Sequence, residues 1–334
     1  MTKIAILGGG SWGTGLAVVL ANSRRSHDIA LWVREPAIAE RIKTARENTR
    51  YLPGLAVPGC VAPTTELGEA LGHAHIVVGV VPSAHAREIF TQALPHVSPE
   101  AIIVSATKGL EPATHLRTSQ VLEQVCSMRF VPSLAVLSGP SFALEAARGE
   151  PTAVVLASHD HSIATFLQEE FAGPTFRLYT SDDVLGVELA GAMKNVMAIA
   201  AGACQGLGFG ANTLAALITR GLAEMTRLAV KLGARPETLG GLAGLGDLVL
   251  TCTGALSRNR YVGFELGTGR SLEEILAGMT MIAEGVGTAA ALLALGREHH
   301  VELPITEQVN AILQRWKSPA EAIRDIMDRP LKRE

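Results

Sequence analysis

The amino-acid sequence is poor in charged residues, in aromatic residues and in cysteine. Charged residues make up 18% of the 334-residue chain and aromatic residues 4%, and the formal net charge is −3. No overall field therefore favours nucleic acid or an anionic membrane surface as a partner. The four cysteines form no CxxC pair and the ten histidines follow no ligand spacing, which argues against a disulfide framework and predicts no metal site.

Targeting and membrane signals are also lacking. The chain passes from Lys3 directly into a short apolar strand and then into glycines, which is not the pattern of a signal peptide. The apolar span 189–203 is too short for a bilayer and is interrupted by Lys194, so we predict no integral membrane segment. These absences predict a soluble, cytoplasmic protein. Its length and its 48% of hydrophobic residues suffice for two domains with a large core.

A glycine-rich turn near the start of the chain is the first functional signal. Residues 3–23 read as an apolar strand, a glycine cluster and a helical pattern, and Gly8, Gly10 and Gly13 supply G-x-G-x-x-G between the strand and the helix. In dinucleotide-binding folds the first glycine makes a tight turn, the second lets the backbone approach a pyrophosphate and the third allows close helix packing. The alternative is an ordinary glycine-rich turn, but the flanking strand and helix favour dinucleotide binding.

The residues around this turn bear on which dinucleotide is bound. Ser11 and Trp12 lie within the predicted loop, where Ser11 offers a hydroxyl to the phosphates. The second strand, 27–33, ends in Arg34, followed by Glu35. An arginine here accommodates the 2′-phosphate of NADP, whereas an acidic residue binds the ribose of NAD. We therefore predict NADP as the preferred cofactor with NAD tolerated; the alternative is that Arg34 is a solvated loop residue.

Apolar runs alternate with helical segments through the first half of the chain, which is typical of a mostly parallel sheet covered on both faces. The clearest runs are 75–81, 101–107, 134–138, 152–158 and 176–180. The predicted fold class is α/β: a Rossmann-type, doubly wound domain over residues 1–187, followed by an all-helical domain over residues 188–334. No linker-like composition separates the two, so we expect them to pack tightly.

Three loops follow strands at the edge where ligands bind in such sheets. Lys108 lies in the second of them beside Gly109, placed to meet an anionic or carbonyl ligand. Gly139 and Ser141 lie in the third, a tight turn that leads into a helix. The alternative for Lys108 is an ordinary exposed loop lysine.

The apolar helix at residues 188–203 carries Lys194 and Asn195 at its centre. Burying an unpaired ammonium costs several kcal/mol, so such a lysine has a compensating partner or a task. The alternatives are a catalytic lysine and a lysine whose long stem reaches solvent.

A glycine-rich stretch of the helical domain, residues 242–260, carries a second group of polar side chains. Asp247 is its lone acid, and Ser257 is a candidate helix cap before Arg258 and Asn259. A guanidinium binds phosphate in a bidentate manner and an asparagine adds two amide donors. Solvated arginines at a polar helix start are the alternative interpretation.

Taken together, these strings resemble bacterial NAD(P)-dependent glycerol-3-phosphate dehydrogenase. The matching segments run in the expected order from residue 8 to residue 286 and are GGGSWGTGLA, SATKGLE, SGPSFALEAARGEPTAVV, ELAGAMKNVMAIAAG, GLGDLVLTCTG, SRNR and AEGV. The resemblance implies NAD(P)H-dependent, reversible reduction of dihydroxyacetone phosphate to sn-glycerol 3-phosphate, which supplies glycerophospholipid synthesis. It also implies a homodimer.

The resemblance implies site residues as well. The family's catalytic lysine matches Lys194, with Lys108 as a second positive group. Besides Gly8, Gly10 and Gly13, its cofactor contacts match Ser11, Trp12, Arg34, Tyr51, Lys108, Ala143, Arg258, Ile282 and Glu284. Its substrate contacts match Lys108, Gly139, Ser141, Lys194, Asp247, Ser257, Arg258 and Asn259.

The sequence is also compatible with two other functions. One is a different two-domain dehydrogenase, such as a ketopantoate or 3-hydroxyacid dehydrogenase, although the SRNR cluster suits a phosphate ester better than a carboxylate. The other is an NAD(P)-binding sensor without turnover, which the presence of both Lys108 and Lys194 disfavours.

Overall fold

A computed structural model describes residues 1–331 of the chain. All of the strands in these residues lie in the first part of the chain, before residue 182. They are β1 (Thr2–Leu7), β2 (His27–Trp32), β3 (Glu47–Asn48), β4 (Leu52–Ala56), β5 (Val61–Thr64), β6 (Ile76–Gly79), β7 (Ile102–Ser105), β8 (Ser133–Ser138), β9 (Thr152–Ala157) and β10 (Phe176–Ser181).

Helices alternate with these strands and then make up all the regular structure of the later described residues, as predicted. They are α1 (Ser11–Ala21), α2 (Pro36–Ala45), α3 (Leu67–Leu71), α4 (Ala86–Ala93), α5 (Thr118–Cys126), α6 (Ala143–Ala147), α7 (His161–Phe171), α8 (Val184–Gly206), α9 (Ala211–Lys231), α10 (Pro236–Gly240), α11 (Asp247–Thr253), α12 (Arg258–Gly267), α13 (Leu272–Ala277), α14 (Glu284–Glu298), α15 (Pro304–Leu313) and α16 (Pro319–Met327).

Eight strands form one sheet in the order β10-β9-β8-β7-β6-β1-β2-β5. Along β1, Ile4 and Ile6 belong to one hydrophobic cluster, while Ala5 and Leu7 belong to another. Because successive side chains of a strand point to opposite faces, the two clusters cover the two faces of the sheet. Helices α1 and α7 contribute to the first cluster, and α4 and α5 to the second. The predicted Rossmann-type, doubly wound, mostly parallel sheet is confirmed.

The last two strands differ from the prediction of a parallel arrangement. β9 pairs antiparallel with β8, and β10 pairs parallel with β9, so both run against the other six strands. The short helix α6 explains the reversal. It packs against α1, where a Cβ added to Gly15 would lie 3.0 Å from the carbonyl oxygen of Ala143. The chain therefore stays at the carboxyl edge after β8 instead of crossing the sheet, and β9 starts from that edge.

Two further strand features were not predicted. β5 is a short edge strand that contains Pro63, and the separate β3–β4 hairpin contains Pro53 and Gly54. Proline cannot donate to a strand ladder and glycine weakens a strand, so neither segment carries the usual strand pattern.

Helix α8 is longer than the apolar span from which we predicted no membrane segment. It has 23 residues and, among the described helices, it alone is long and apolar enough to cross a membrane. However, 89% of its most apolar window is buried inside the protein. Length and composition alone are weak support for a membrane span, since the core helix of a soluble protein satisfies the same criteria.

The chain divides into two compact units. The first comprises Met1–Glu111 and Leu116–Glu188 and contains the sheet. The second comprises Pro112–His115 and Leu189–Glu334, and in the part that the structure describes its regular elements are all helical. The division falls inside α8, between Glu188 and Leu189.

Within the second unit, a buried carboxylate closes the N-terminal end of α15. Glu224, on α9, has no exposed surface and accepts hydrogen bonds from the backbone N–H groups of Ile305 at 2.8 Å and Thr306 at 2.9 Å. The Thr306 hydroxyl donates a third bond at 2.6 Å. Burial raises the pKa of Glu224, and the three hydrogen bonds oppose that rise. The protonated form is thus favoured in the folded protein relative to the unfolded chain.

This raised pKa makes stability depend on pH. The contribution of Glu224 is fully present below its ordinary pKa of 4.5 and is lost as the pH rises through the folded-state pKa. We expect Glu224→Gln to remove that part of the pH dependence. The free energy of unfolding of the wild type, relative to that of the variant, should therefore decrease as the pH rises above 4.5. Urea unfolding at several pH values measures it, with the exposed Glu237→Gln as control. A wild-type advantage independent of pH would contradict the expectation.

Candidate functional site

The three glycines of the N-terminal motif have three different surroundings. Gly8 has φ +125°, and a Cβ there would lie 2.6 Å from the carbonyl oxygen of Val80. A Cβ on Gly13 would collide with the carbonyl oxygen of Gly8. Around Gly10, in contrast, a Cβ would meet nothing within 4 Å. The outer two glycines therefore build the turn, and the middle one leaves open space next to the backbone, as a pyrophosphate requires.

Helix α1 begins at Ser11, so Ser11 and Trp12 form its first turn and do not lie in the loop as predicted. Gly10 precedes the helix without a capping side chain, which leaves the first N–H groups for an anion. The Ser11 hydroxyl donates to the Tyr51 carbonyl oxygen at 2.8 Å, so its contact with phosphate stays a prediction. The Trp12 ring packs against the hydrophobic cluster of the sheet.

Asn48, which was not predicted as a functional residue, forms hydrogen bonds that stabilise the glycine turn. Asn48 is completely buried, and its amide donates to the Gly9 carbonyl oxygen at 2.9 Å and to the Thr14 hydroxyl at 2.8 Å. Its side-chain oxygen accepts the backbone N–H of Tyr51 at 3.2 Å. Asn48 thus holds Tyr51 beside the start of α1. Asn48 lies in the two-residue strand β3, and a single asparagine carries no sequence pattern that predicts this role.

The end of β2 presents the residues expected to face the adenosine ribose. Arg34 is exposed, with 69% of its side-chain area open, and lies 3.5 Å from the Glu35 carboxylate. The Tyr51 hydroxyl donates to the same Glu35 oxygen, Oε1, at 3.2 Å. Tyr51, a cofactor contact implied by the resemblance, therefore lies with Arg34 and Glu35 in one cluster.

The loops after β6, β7 and β8 meet at the carboxyl edge of the sheet, as predicted. The Thr107 hydroxyl donates to the Val81 carbonyl oxygen at 2.7 Å and joins the first two loops. The Lys108 ammonium donates to the Gly139 carbonyl oxygen at 2.8 Å, and the Ser141 hydroxyl donates to the same oxygen at 3.1 Å. The structure therefore brings three of the predicted substrate residues into one group.

The turn at Gly139 also positions the start of α6. Gly139 has φ +137°, and a Cβ there would lie 3.0 Å from the Val154 Cα. Ala143, a predicted cofactor contact, then begins α6 and lies against Gly15 of α1. It is therefore close to the glycine turn.

In the second unit, Lys194 is buried with a counter-charge. Its exposure is only 7%, which excludes the alternative of a lysine that reaches solvent. Its ammonium donates to Asp247 Oδ1 at 2.8 Å and to the Thr251 hydroxyl at 2.7 Å. Asp247 is 1% exposed and was predicted as a substrate contact, while Thr251 was not predicted at all. The lysine is thereby held in place with its positive charge compensated.

The thiol of Cys252, near Lys194, is not a second reactive group. Burial raises the pKa of Cys252 to about 12, with the charge of Lys194 opposing the rise. Cys252 is therefore a protonated, buried side chain and no nucleophile at neutral pH.

Next to Lys194, an amide chain connects α8, α12 and α14. The Asn259 amide donates to the Asn195 side-chain oxygen at 2.9 Å, and Asn259 Oδ1 accepts the Gly285 N–H at 2.9 Å. The helices can approach because Gly202 and Gly263 lie at their contact, where added Cβ atoms would collide with the opposite backbone. Asn259 is thus engaged inside the protein, and its predicted contact with substrate stays a prediction.

The start of α12 carries the arginine expected to hold phosphate. Ser257 caps this helix, as predicted, by accepting the Arg260 N–H at 3.2 Å. Arg258, the first helical residue, is exposed, yet the surrounding protein lowers its pKa while Glu284 opposes the shift. An arginine stays charged in either case, so its exposure is what matters for binding. Ile282 is exposed shortly before Glu284, the first residue of α14.

Comparison with known protein families gives a match to both parts of the chain. Residues 3–164 match the NAD-dependent glycerol-3-phosphate dehydrogenase N-terminus, and residues 183–324 match the C-terminus of the same family.

Individual relatives agree with the family models. The chain is 54% identical over 331 residues to a glycerol-3-phosphate dehydrogenase [NAD(P)+] of Koribacter versatilis, covering 99% of this chain and 98% of the relative. It is 52% identical over 335 residues to the protein of the same name from Acidobacterium capsulatum, covering 99% of both. A crystal structure of glycerol-3-phosphate dehydrogenase from Coxiella burnetii superposes with a TM-score of 0.92 at 40% identity, covering 98% of this chain and 99% of that one.

Proposed function

Because this chain belongs to the NAD-dependent glycerol-3-phosphate dehydrogenase family, we propose that Lys194 is the proton donor and acceptor of its reaction. The protein is an oxidoreductase that reduces dihydroxyacetone phosphate to sn-glycerol 3-phosphate, reversibly, with NAD(P)H. The buried ammonium of Lys194, paired with Asp247, is the observation that carries the proposal. Membership of this family sets aside a ketopantoate or 3-hydroxyacid dehydrogenase as the identity of the protein.

The cofactor is NAD or NADP, and the N-terminal turn fits it. The open space at Gly10 and the uncapped start of α1 suit a pyrophosphate. The bound nicotinamide supplies the hydride for reduction and accepts it in oxidation. We propose NADP as the preferred form, because Arg34 is exposed at the end of β2 and can meet a 2′-phosphate.

Reduction of the ketone places negative charge on the C2 oxygen of the substrate, which then needs a proton. A lysine is protonated at neutral pH by its reference pKa of about 10.4, so Lys194 can donate that proton. Its charge also stabilises the developing alkoxide where water is excluded. Asp247 and Thr251 fix the direction of the ammonium, and we assign Lys108 as a second positive group for the substrate. In oxidation the same Lys194, deprotonated, accepts the proton.

The phosphate of the substrate needs a fixed cation. Arg258 is exposed at the first position of α12 and can form two parallel hydrogen bonds to phosphate oxygens. Ser257 orients that turn by capping it, and Asn259 anchors it to Asn195 of α8. We therefore assign substrate phosphate binding to this helix start.

An assay of NADPH absorbance at increasing dihydroxyacetone phosphate tests the proposal. We expect substrate-dependent oxidation of NADPH, with formation of sn-glycerol 3-phosphate. A protein that binds NADPH but oxidises it with no such ketone would instead be the sensor considered above. Ketopantoate serves as the comparison substrate, and preference for it would contradict the assignment.

Arg258→Ala tests the phosphate site. We expect the KM for dihydroxyacetone phosphate to rise about 10- to 100-fold, because charge-assisted bonds to phosphate are lost, while kcat changes less. Steady-state kinetics at saturating NADPH measures both constants. Arg270→Ala, which removes an exposed arginine paired with Glu265, is the control. An unchanged KM in Arg258→Ala would remove this residue from the phosphate site.

We also propose a cytoplasmic homodimer that supplies glycerol phosphate for glycerophospholipids. All four cysteines are free, which fits a reducing compartment. Large apolar side chains are exposed in the second unit, among them Phe209, Leu256 and Phe264, and such residues are frequent at subunit interfaces. Light scattering on the purified protein distinguishes a dimer from a monomer.

A further inference from the structure

Arg34 and Glu35, which follow β2, form a cluster with Arg50 and Tyr51, which lie between β3 and β4. The arrangement of these four side chains bears on the choice of cofactor. We propose that Tyr51 and Arg50 set the preference for NADP(H) over NAD(H): Tyr51 holds the Glu35 carboxylate away from the ribose, and Arg50 acts beside Arg34 as a second cation for the 2′-phosphate. The inference rests on the proposed function, since it requires that the glycine turn binds a nicotinamide dinucleotide.

Glu35 is the acidic residue that follows Arg34 at the end of β2. An acidic residue at this position binds the ribose hydroxyls of NAD and repels the 2′-phosphate of NADP. Here its Oε1 already accepts the Tyr51 hydroxyl at 3.2 Å and lies 3.5 Å from the Arg34 guanidinium. Burial and the nearby Glu35 charge raise the pKa of Tyr51, so the phenol keeps its proton and continues to donate. The carboxylate is thus engaged by the protein itself.

Two arginines, Arg34 and Arg50, supply the positive charge of the cluster. The Arg50 guanidinium lies 5.3 Å from the centre of the Tyr51 ring, within the range of a cation–π contact. Arg50 and Arg34 are both exposed. Tyr51 thus contacts Arg50 through its ring and Glu35 through its hydroxyl, and together with Arg34 these side chains carry a net positive charge. A phosphate monoester is favoured by such a cluster, whereas the uncharged ribose hydroxyl of NAD gains nothing from it.

Hydrogen bonds hold the backbone of Tyr51 in a fixed position. The backbone of Tyr51 is tied to the first turn of α1 by the Ser11 hydroxyl and to the glycine turn by Asn48. All of these residues belong to the first unit. The pyrophosphate site and the ribose site are therefore parts of one hydrogen-bonded assembly, and Tyr51 holds Glu35 from a fixed position.

Tyr51→Phe removes only the hydroxyl that holds Glu35. We expect the Kd for NADPH to rise about tenfold, because the released carboxylate then faces the 2′-phosphate, while the Kd for NADH stays equal or falls. Fluorescence titration of the full-length protein with NADPH and with NADH, without substrate, measures both constants. Adding Glu35→Gln to Tyr51→Phe should restore much of the NADPH affinity.

Arg50→Gln tests the second cation. We expect the Kd for NADPH to rise about fivefold at low salt, because one charge-assisted contact is lost, with no change for NADH. The chain offers a matched control at the other end of the sheet, where Arg177 lies 5.2 Å from the ring centre of Tyr179 on β10. Arg177→Gln and Tyr179→Phe should leave both dissociation constants unchanged.

The outcomes separate this inference from the proposed function. If the wild-type protein binds neither dinucleotide, the cofactor assignment itself fails and the inference fails with it. If it binds them and turns over substrate, but Tyr51→Phe and Arg50→Gln alter NADPH and NADH affinity equally or not at all, the inference alone is overturned.

Discussion

Lys194→Ala is expected to lower kcat for reduction of dihydroxyacetone phosphate by about 10²–10⁴-fold, the range for loss of a positioned general acid. The substitution removes both the proton for the C2 oxygen and the charge that stabilises the alkoxide. It leaves the N-terminal glycine turn untouched, so the Kd for NADPH should stay close to the wild-type value. Turnover and fluorescence titration on the same preparation measure the two effects.

The result needs a control for folding, because Lys194→Ala also leaves Asp247 buried without its counter-charge. Lys231→Ala, at the exposed end of α9, removes a lysine that the reaction does not use. Thermal unfolding shows whether each variant is folded at the assay temperature. Near-normal turnover in a folded Lys194→Ala protein would contradict the role assigned to the lysine.

Local patterns predicted the main elements of the fold. The strand, glycine turn and helix at the N-terminus each follow from residues close in sequence, and so does the helical character of the later segments. The direction of β9 did not follow, because it depends on α6 packing against α1 through Gly15 and Ala143. An apolar run is the same in a parallel and an antiparallel strand, so no local signal distinguishes the two.

The site could be predicted only in part for a similar reason. Lys194 could be identified from the sequence because a lysine at the centre of an apolar helix is costly to bury. Its partner Asp247 lies 53 positions further along the chain, and nothing in the sequence pairs the two. Thr251, which was not predicted, lies on the same face of α11 as Asp247, four residues on, and this helical spacing is the one signal from which it could have been found.

The residues expected to bind the cofactor could also be predicted only in part. Arg34 follows a strand in a known position, so its possible contact with a 2′-phosphate could be predicted from the motif alone. The position from which Tyr51 holds Glu35 depends on the hydrogen bonds of Asn48, and the bond from Asn48 to Gly9 joins residues far apart in the sequence. The residues with the clearest chemistry were therefore found from sequence, and the residues that position them were not.

Asp247→Asn is expected to have the largest effect on stability. The change keeps the size of the side chain but removes the carboxylate charge that is paired with the Lys194 ammonium, which is only 7% exposed. Breaking one side of a buried ion pair costs about 3–5 kcal/mol in the free energy of unfolding. A buried ammonium that has lost the charge of this carboxylate also loses its proton more readily, so the pH profile of reductive turnover should move to lower pH. Urea unfolding and pH-dependent kcat measure the two effects.

A second variant separates stability from chemistry. Replacing both partners, as in Lys194→Met with Asp247→Leu, removes both buried charges, and such replacements are often neutral or stabilising. We therefore expect the double variant to recover most of the stability lost in Asp247→Asn while its turnover stays as low as that of Lys194→Ala. Recovery of turnover together with stability would mean that the ion pair only holds α8 and α11 together. A double variant that is stable, binds NADPH and does not reduce the ketone would show that the reaction needs the charged pair itself and not only the packing of α8 and α11.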